Sequence, residues 1–297
     1  MIGVGLIGSS IARAARQFGA ARHIAVMDSS PQVVKRAEEL GLADLATQDP
    51  AQALASADLV IVCTPVGACG AVAQRVAPYL EKGAVISDVG SVKGAVVAQM
   101  APHLTEPARF IPAHPIAGTE FSGPDAGFAT LFQNRWCILT PPENADAEAV
   151  ETLTKFWRRL GANVETMSVT HHDAVLALTS HLPHLIAYNI VGTADDFGDE
   201  TRSEVVKFSA SGFRDFTRIA ASDPIMWRDI FLANKDAVLE MLGRFNEDLS
   251  VLQRMIRRND GQGLLEFFAR TREIRRSIIE QGQDTTAPDF GRRGGGR

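Results

Sequence analysis

The sequence predicts an α/β, doubly wound domain followed by an all-α domain. In the first half, short β-rich runs alternate with helical stretches, which is typical of a parallel sheet with helices on both faces. In the second half these runs stop, and apolar residues recur every three or four positions, as on one face of a helix. The 297 residues fit two domains of roughly 100–200 residues each. We expect the domains to span residues 1–169 and 170–281.

The first domain contains six candidate strands. They are HIAVMD (23–28), ADLVIVCTP (57–65), AVISDVG (84–90), ARFIPAHP (108–115), RWCILTP (135–141) and NVETMS (163–168). Helices are expected between them, and Ser30 followed by Pro31 is typical of a helix start. In a fold of this kind, ligands bind beyond the carboxyl ends of the strands.

Two apolar segments mark the second domain. The stretch from Ile225 to Ile256 predicts one long amphipathic helix. The stretch from Ala174 to Ala194 has no Asp, Glu, Lys or Arg over roughly the 20 residues that a bilayer span needs. Its histidines, proline and asparagine would be costly in lipid, so we expect no membrane span but a helix buried all round or at a subunit interface. The segment 282–297 is expected to be a disordered tail.

Composition, charge and cysteine content argue against a nucleic-acid-binding protein and against a secreted one. The chain is 45% hydrophobic and 22% charged, which is ordinary for a globular protein. Its net charge of −5 gives no overall positive field for nucleic acid. The cysteines, Cys63, Cys69 and Cys137, are odd in number and form no CxxC pair, so we expect free thiols in a reducing cytoplasm. No basic region precedes the first apolar stretch, so we predict a cytoplasmic protein rather than a secreted one.

Gly3-Val4-Gly5-Leu6-Ile7-Gly8 matches the GxGxxG fingerprint of a Rossmann-type dinucleotide site. Its glycines allow a tight turn, close approach of a pyrophosphate and close packing of the next helix, whose amino end faces the phosphates. Asp28 follows Gly8 by 20 residues, where a carboxylate binds the adenine ribose hydroxyls. Serines follow Asp28 and no arginine does, which favours NAD over NADP. The alternative is a glycine turn in an α/β protein that binds no nucleotide.

One feature departs from the fingerprint. A full strand of usually 5–6 residues should precede the glycine turn, yet only Met1 and Ile2 precede Gly3. In the usual strand order this strand is central. We therefore expect the natural chain to begin several residues upstream, so that the first strand is truncated here.

Four further motifs occur in order along the chain. They are DVGSVK (88–93), HPIAGTE (114–120), SHLPH (180–184) and GFRDFTRIAASDPIMW (212–227). Together they resemble the prephenate/arogenate (cyclohexadienyl) dehydrogenase family, from Gly3 to about Ile279. The resemblance implies NAD-dependent oxidative decarboxylation in tyrosine biosynthesis, in which hydride passes to NAD+, CO2 departs and the ring becomes aromatic. It also implies a homodimer formed by a 6-phosphogluconate-dehydrogenase-like helical domain.

The resemblance assigns two residues to catalysis. His114 looks like the histidine that takes up the proton of the ring hydroxyl, which suits an imidazole because it ordinarily titrates near pH ~6.5. The alternative is a histidine hydrogen-bonded in a turn beside Pro115. Ser91 matches a serine between this histidine and the nicotinamide, where it would orient both. Its alternative is the N-cap of a helix that begins near Lys93.

The resemblance also assigns the substrate and cofactor contacts. Arg218 matches the arginine that binds the ring carboxylate; its alternative is a structural pair with Asp215, which is compatible with the substrate role. His184 matches a histidine near the substrate side chain, whereas His181 is expected to be structural. Trp227 is expected near the substrate or simply in the core, and Thr119 and Glu120 in a loop at the site entrance, where Glu120 forms either a gating ion pair or a solvated carboxylate. The predicted cofactor contacts are Gly3, Gly5, Leu6, Ile7, Gly8, Asp28, Thr64, Pro65 and Ser91.

Two other functions remain alternatives. A 3-hydroxyacid dehydrogenase would need a catalytic lysine in the helical domain, for which Lys207 and Lys235 are the candidates. A non-catalytic NAD-binding regulator would keep the glycine turn but has no need for His114 together with Arg218. We expect no metal, since the histidines near residue 172 have no HExxH motif or cysteine partner. No fused chorismate mutase or ACT domain is expected, so inhibition by tyrosine would act at the active site.

Overall fold

The computed structural model describes residues 1–119, 121–196, 207 and 211–280. Packing divides the chain into two units, Met1–Leu239 and Glu240–Arg297. These packing units do not test the domain boundary expected after residue 169. That boundary stays a prediction. The expected tail at 282–297 lies outside the described residues.

Parallel strands form the first sheet. They are β1 (Ala25–Met27), β2 (Leu45–Thr47), β3 (Leu59–Val62) and β4 (Val85–Asp88). β1 pairs with β2 and β3 pairs with β4, both in parallel. Single parallel bridges join Ile2 to both Met27 and Val62, and Phe110 to Ile86. The order across the sheet is therefore β2, β1, Ile2, β3, β4, Phe110, which is the order of a doubly wound dinucleotide-binding sheet.

Ile2 holds the central place in this sheet. Its amide donates to the Ile61 carbonyl at 2.9 Å, and its carbonyl accepts from Cys63 at 2.6 Å. On the other side, Met27 donates to the Met1 carbonyl at 2.8 Å. A groove of about 820 Å³ opens beside Met1 at the amino ends of β1 and β3. It therefore lies at the opposite edge of the sheet from the carboxyl ends, where ligands are expected.

The second sheet is mixed and holds β5 (Ala113–Pro115), β6 (Trp136–Leu139) and β7 (Asn163–Thr166). β5 runs antiparallel to β6, and β6 runs parallel to β7. The prediction of one strand over residues 108–115 is wrong, because Phe110 edges the first sheet while β5 belongs to the second. Pro112 lies between them and has no amide hydrogen to continue a ladder. β2 was not predicted, because its residues are only half-buried and form no apolar run.

Helices cover both faces of the first sheet. They are α1 (Leu6–Gln17), α2 (Pro31–Glu39), α3 (Pro50–Leu54), α4 (Cys69–Val76), α5 (Lys93–Met100) and α6 (Ala147–Arg159). Ile11 of α1 and Trp157 of α6 belong to one buried apolar cluster, and Val76 of α4 and Val96 of α5 belong to another. Ser30 caps α2, since its hydroxyl accepts from the Val33 amide at 3.4 Å. The predicted doubly wound domain is confirmed.

Every described element after β7 is a helix or a turn, so the predicted all-α second half is also confirmed. The helices are α7 (Val169–Leu176), α8 (Leu182–Asp195), α9 (Ser211–Thr217), α10 (Pro224–Ala233), α11 (Lys235–Arg257) and α12 (Gly261–Glu280). The prediction of one helix from Ile225 to Ile256 is wrong. The helix breaks at Asn234, whose φ of −108° and ψ of 31° are not helical and whose buried side chain donates to the Asp173 carbonyl at 2.9 Å.

The apolar stretch near residues 174–194 is less buried than predicted. Within the part of the chain that the structure describes, Val169–Asp195 is long and apolar enough to cross a membrane by length and composition, and 28% of its most apolar window is buried. Leu178, Ile190 and Val191 are exposed in the single chain. A helix buried all round is therefore wrong for one chain, and the interface interpretation remains.

Candidate active site

The three glycines of the fingerprint have three different surroundings. Gly3 has a φ of +93°, and a Cβ there would lie 2.7 Å from the Cys63 carbonyl oxygen. A Cβ on Gly8 would overlap the Gly3 carbonyl oxygen. A Cβ on Gly5 would meet no atom within 4 Å. The fold itself therefore requires Gly3 and Gly8, whereas Gly5 keeps open the space that a pyrophosphate needs.

The amino end of α1 points out of this turn. Its N-cap residue is Gly5, which has no side chain to bind the first amides, so these are left for a ligand. Leu6 and Ile7 form the first turn of α1 and are half-buried. Asp28 accepts from the Val4 amide at 2.9 Å and so holds the glycine turn against the end of β1. This arrangement of amides, open glycine and carboxylate fits a dinucleotide.

The loop after β3 completes this part of the site. A Cβ on Gly3 would lie 3.1 Å from Cγ2 of Thr64, so Thr64 borders the glycine turn. Pro65 is the next residue and is exposed. Of the predicted cofactor contacts, the structure thus brings together the glycine turn, Asp28 and Thr64.

A buried ion pair ties the end of β4 to β5. Lys93 and Asp88 are both fully buried, and the Lys93 ammonium contacts the Asp88 carboxylate. The same ammonium donates to the Ala113 carbonyl at 2.6 Å, and Asp88 accepts from the Gly90 amide at 2.7 Å. This network lies directly beside His114. The ion pair was not predicted from the sequence, although both residues belong to the DVGSVK motif.

The amino end of α5 is capped from elsewhere in the fold. Asp173 of α7 accepts from the amides of Lys93 and Gly94, each at 2.8 Å. A Cβ on Gly94 would lie 2.9 Å from Oδ2 of Asp173, so glycine is needed for this approach. The interpretation of Ser91 as the N-cap of this helix is therefore wrong. Ser91 lies half-buried in the turn between β4 and α5.

His114 lies on β5 and contacts a second histidine. Its Nδ1 is 2.9 Å from Nε2 of His172, and Nδ1 of His172 is 2.8 Å from Oδ1 of Asp173. Burial lowers the pKa of His114 well below its ordinary value, and the nearby His172, Lys93 and His181 lower it further. The imidazole is therefore neutral near pH 7 and can accept a proton. The alternative of a histidine held in a turn beside Pro115 is wrong, since His114 is in a strand and is bound by α7.

The SHLPH motif begins on a π-helical turn, Ala177–His181, and continues into α8. Pro183 has no amide hydrogen for the helical bond to Thr179, which explains a widened turn here. His184 donates from Nδ1 to the Ser180 carbonyl at 2.9 Å, and its ring stacks on Trp227 with centroids 3.6 Å apart. Burial lowers the pKa of His184, and the charge of Arg218 lowers it too, against the hydrogen bond to Ser180. The structure thus places His184 against Trp227, with α8 packed on the 3-10 turn Arg218–Ala221.

His181 is buried in the same cluster. Its Nδ1 lies 3.1 Å from Nδ2 of Asn234, an amide donor, so the proton of the neutral ring is on Nε2. Within the described residues, Nε2 of His181 and Nε1 of Trp227 have no hydrogen-bond partner. Burial lowers the pKa of His181 to about 4, with Asp173 opposing and His172 and His184 adding to the shift.

The remaining predicted site residues are at the surface. Thr119 is exposed, and its hydroxyl accepts from the Phe121 amide at 3.3 Å. Glu120 lies outside the described residues. Arg218 is exposed in the 3-10 turn Arg218–Ala221, and its expected alternative partner, Asp215, lies 3.6 Å from Arg214. Across the described ranges, no group of three or more His, Cys, Asp or Glu side chains is arranged to hold a metal ion.

Comparison with known families identifies the chain. Residues 11–166 match the family model "Prephenate dehydrogenase, nucleotide-binding domain". Residues 168–270 match "Prephenate dehydrogenase, dimerization domain". The chain belongs to the prephenate dehydrogenase family. The resemblance inferred from the four motifs is confirmed, and the family combines a nucleotide-binding domain with a helical dimerisation domain.

Individual members of the prephenate dehydrogenase family match nearly the whole chain. The cyclohexadienyl dehydrogenase of Zymomonas mobilis is 44% identical over 278 residues, 94% of each chain. The prephenate dehydrogenase of Bacillus subtilis is 33% identical over 93% of this chain and 74% of its own. The structure of Aquifex aeolicus prephenate dehydrogenase with hydroxyphenyl propionate and NAD+ has a TM-score of 0.87 at 36% identity, covering 93% of this chain and 96% of its own. Synechocystis arogenate dehydrogenase has a TM-score of 0.80 at 27% identity, covering 93% and 98%.

Two residues that hold His114, namely His172 and Asp173, were not predicted from the sequence. His181 is buried and bonded to Asn234, which agrees with the structural role expected for it. The available signal was the run His171-His172-Asp173 at the start of a helix. Successive side chains of a helix point about 100° apart around its axis, so the sequence alone does not show which of these side chains meets β5.

Proposed function

We propose that this chain is an NAD-dependent dehydrogenase that oxidatively decarboxylates prephenate, arogenate or both. The observation that carries the proposal is His114, a neutral, half-buried imidazole held by His172 beside the carboxyl ends of β4 and β5. The relatives named as cyclohexadienyl, prephenate and arogenate dehydrogenases support it. The reaction belongs to tyrosine biosynthesis.

The residues around α1 would hold the cofactor. The first amides of α1 would bind the pyrophosphate over Gly5, and Asp28 would bind the adenine ribose hydroxyls. One oxygen of Asp28 accepts from the Val4 amide and the other accepts from the Ser30 amide, which leaves further lone pairs for the ribose. Serines follow Asp28, and this favours NAD over NADP. When bound, NAD+ supplies the hydride acceptor.

His114 would act as the base. Its imidazole takes the proton of the ring hydroxyl as hydride leaves the carbon that bears this hydroxyl. The carboxylate then leaves as CO2, and its bonding electron pair enters the ring, which becomes a phenolate. His114 returns the proton to the phenolate oxygen, so the base is regenerated. Ser91, in the turn between β4 and α5, would orient the hydroxyl and the nicotinamide.

The helical residues would hold the substrate. Arg218 would bind the ring carboxylate through its guanidinium, and the packing of its turn, Arg218–Ala221, on α8 supports this placement. His184 and the stacked Trp227 would line the side-chain end of the substrate. Thr119 and Glu120 would form the entrance loop. We assign cofactor binding to residues 1–169 and substrate binding and dimerisation to residues 170–281.

The proposed enzyme is a homodimer of the cytoplasm. The second family match is a dimerisation domain, and the exposed apolar side chains Leu178, Ile190 and Val191 need cover that a second copy would give. The three cysteines are free, which suits a reducing compartment. Partners other than a second copy and the small-molecule substrate are not proposed.

The test adds prephenate, arogenate and a 3-hydroxyacid separately to the protein with NAD+ and follows NADH absorbance. We expect NADH from prephenate, arogenate or both. Formation of NADH from the 3-hydroxyacid alone would favour the related 3-hydroxyacid dehydrogenases. No NADH from any substrate, in protein that binds NAD+, would contradict the proposal and favour a non-catalytic regulator.

A further inference from the structure

Asp173, His172 and His114 form a chain of side chains that ends at the proposed base. We infer that His172 and Asp173 are positioning residues that hold His114 as the tautomer with its proton on Nδ1 and its lone pair on Nε2. The inference rests on the proposed function, because His114 is the base there. The tautomer itself can be observed without any substrate.

Asp173 determines which nitrogen of His172 carries the proton. Its carboxylate accepts from the amides of Lys93 and Gly94 at the amino end of α5 and lies 2.8 Å from Nδ1 of His172. Burial raises the pKa of Asp173, but the hydrogen bonds from His172, Gly94 and Lys93 outweigh it, so its pKa falls below the ordinary value. An ionised carboxylate can only accept hydrogen bonds. Nδ1 of His172 therefore carries a proton and donates it.

The tautomer of His172 determines the tautomer of His114. A neutral imidazole with its proton on Nδ1 has a lone pair on Nε2. The 2.9 Å contact to His114 therefore requires Nδ1 of His114 to donate. It follows that the lone pair of neutral His114 is on Nε2, the nitrogen that can meet the substrate hydroxyl. The opposite tautomer would place a proton on Nε2 and leave no base there.

The charges around the two rings favour this arrangement. His172 is fully buried, and the groups that face the pair are the Lys93 ammonium, the carboxylates of Asp88 and Asp173, and the ring of His181. Lys93 is balanced by its ion pair with Asp88. Asp173 therefore supplies the negative charge that compensates His114 when it takes up a proton. Hydrogen bonds of this charged kind are roughly twice as strong as neutral ones.

The fold holds Asp173 in place from two sides. Gly94 has no side chain, which lets α5 approach the carboxylate. Asn234 donates to the backbone carbonyl of Asp173 at 2.9 Å and fixes α7 from the other side. The chain is thus held by residues on α5 and on the break between α10 and α11. Such supporting hydrogen bonds orient a catalytic histidine much as the aspartate does in a serine protease triad.

Three substitutions distinguish a positioning role of His172 and Asp173 from a purely structural one. His172→Gln keeps an oxygen that can accept from His114 and an amide that can donate to Asp173. His172→Leu removes both at similar size. Asp173→Asn removes the negative charge and turns an amide N–H toward a backbone N–H of α5, so the proton of His172 is no longer fixed on Nδ1. We expect kcat to fall about 10²- to 10⁴-fold for His172→Leu and Asp173→Asn and less than about 10-fold for His172→Gln, with the Kd for NAD+ unchanged in all three.

The decisive readout is the tautomer, measured by two-bond ¹H–¹⁵N correlation spectra of the histidine rings in full-length protein with NAD+. The His114 signals are assigned by their loss in His114→Asn. We expect a proton on Nδ1 in the wild type and in His172→Gln, and a mixture of the two tautomers in His172→Leu and in Asp173→Asn. A wild-type His114 with its proton on Nε2 would overturn the inference, as would a His172→Leu variant with unchanged tautomer and kcat. Absence of wild-type turnover with the expected tautomers would instead contradict only the proposed function.

Discussion

Nδ1 of His114 lies 2.9 Å from Nε2 of His172, although 58 residues separate the two histidines in the chain. His114 comes from β5 and His172 from α7, and Asp173 links both to the amino end of α5. The arrangement of the proposed base is therefore set by three elements. One of them belongs to the predicted helical domain, so the second half of the chain helps to hold the proposed base in place.

The first prediction concerns Gly5. A Cβ at this position meets no atom of the protein but occupies the space proposed for the pyrophosphate. Gly5→Ala should weaken NAD+ binding at least about 10-fold while leaving Tm nearly unchanged. Isothermal titration and thermal unfolding measure the two quantities. Gly243→Ala, at an exposed helical glycine with equally open surroundings, is the control and should leave the Kd unchanged. Equal NAD+ affinity in Gly5→Ala would place the cofactor elsewhere.

The second prediction concerns Arg218. Loss of a charged hydrogen bond to the ring carboxylate costs about 1.5–3 kcal/mol, so Arg218→Gln should raise KM for the substrate about 10- to 100-fold. The Kd for NAD+ should stay the same, because the glycine turn is untouched. Steady-state kinetics with NAD+ in excess measures KM. Arg228→Gln removes another exposed arginine, one that pairs with Asp229, and should leave KM unchanged. Equal effects of both variants would remove Arg218 from the site.

The third prediction concerns the buried ion pair. Lys93→Met leaves the Asp88 carboxylate buried without its counter-charge, which should lower the free energy of unfolding by about 3–5 kcal/mol. Urea unfolding at fixed protein concentration measures the change. The double variant Asp88→Asn with Lys93→Met removes the stranded charge and should recover part of the loss. A single variant as stable as the wild type would mean that the pair contributes nothing.

The fourth prediction concerns pH. The pKa of His181 is about 4 in the folded protein, below its ordinary value of 6.5, so the unfolded chain binds a proton that the folded chain does not. The free energy of unfolding should therefore fall as the pH falls from about 6.5 to 4, by up to about 3 kcal/mol from this residue. Urea unfolding at pH 7 and pH 4.5 measures it. His181→Gln should show a smaller fall over the same interval, and an equal fall would contradict the assignment to His181.

Local spacing predicted the cofactor turn well. Gly3, Gly5, Gly8 and Asp28 lie close together because a turn, a helix and the next strand bring them there within 30 residues. The alternation of strands and helices likewise predicted the doubly wound sheet. Both depend on short-range periodicity, which a sequence displays directly.

Long-range contacts decided what the sequence did not predict. Asp173 caps α5 from about 80 residues away, so the alternative interpretation of the nearby Ser91 as the cap is wrong. Asn234 breaks a helix because it binds a carbonyl of α7, which no local pattern displays. The pair of His114 with His172 has the same origin. Partners that are distant in the chain are set by tertiary packing, which overrides local propensity.

The most direct test of the account measures NADH and CO2 together in one reaction. Wild-type protein with NAD+ and prephenate or arogenate should release them in equal amounts, because hydride transfer and decarboxylation are parts of one reaction. His114→Asn should slow the release of both products about 10²- to 10⁴-fold with unchanged Kd for NAD+. The control is His171→Asn, at the exposed histidine that precedes His172 in the chain, and it should slow neither. NADH without CO2, or a His114→Asn variant as fast as the wild type, would contradict oxidative decarboxylation with His114 as its base.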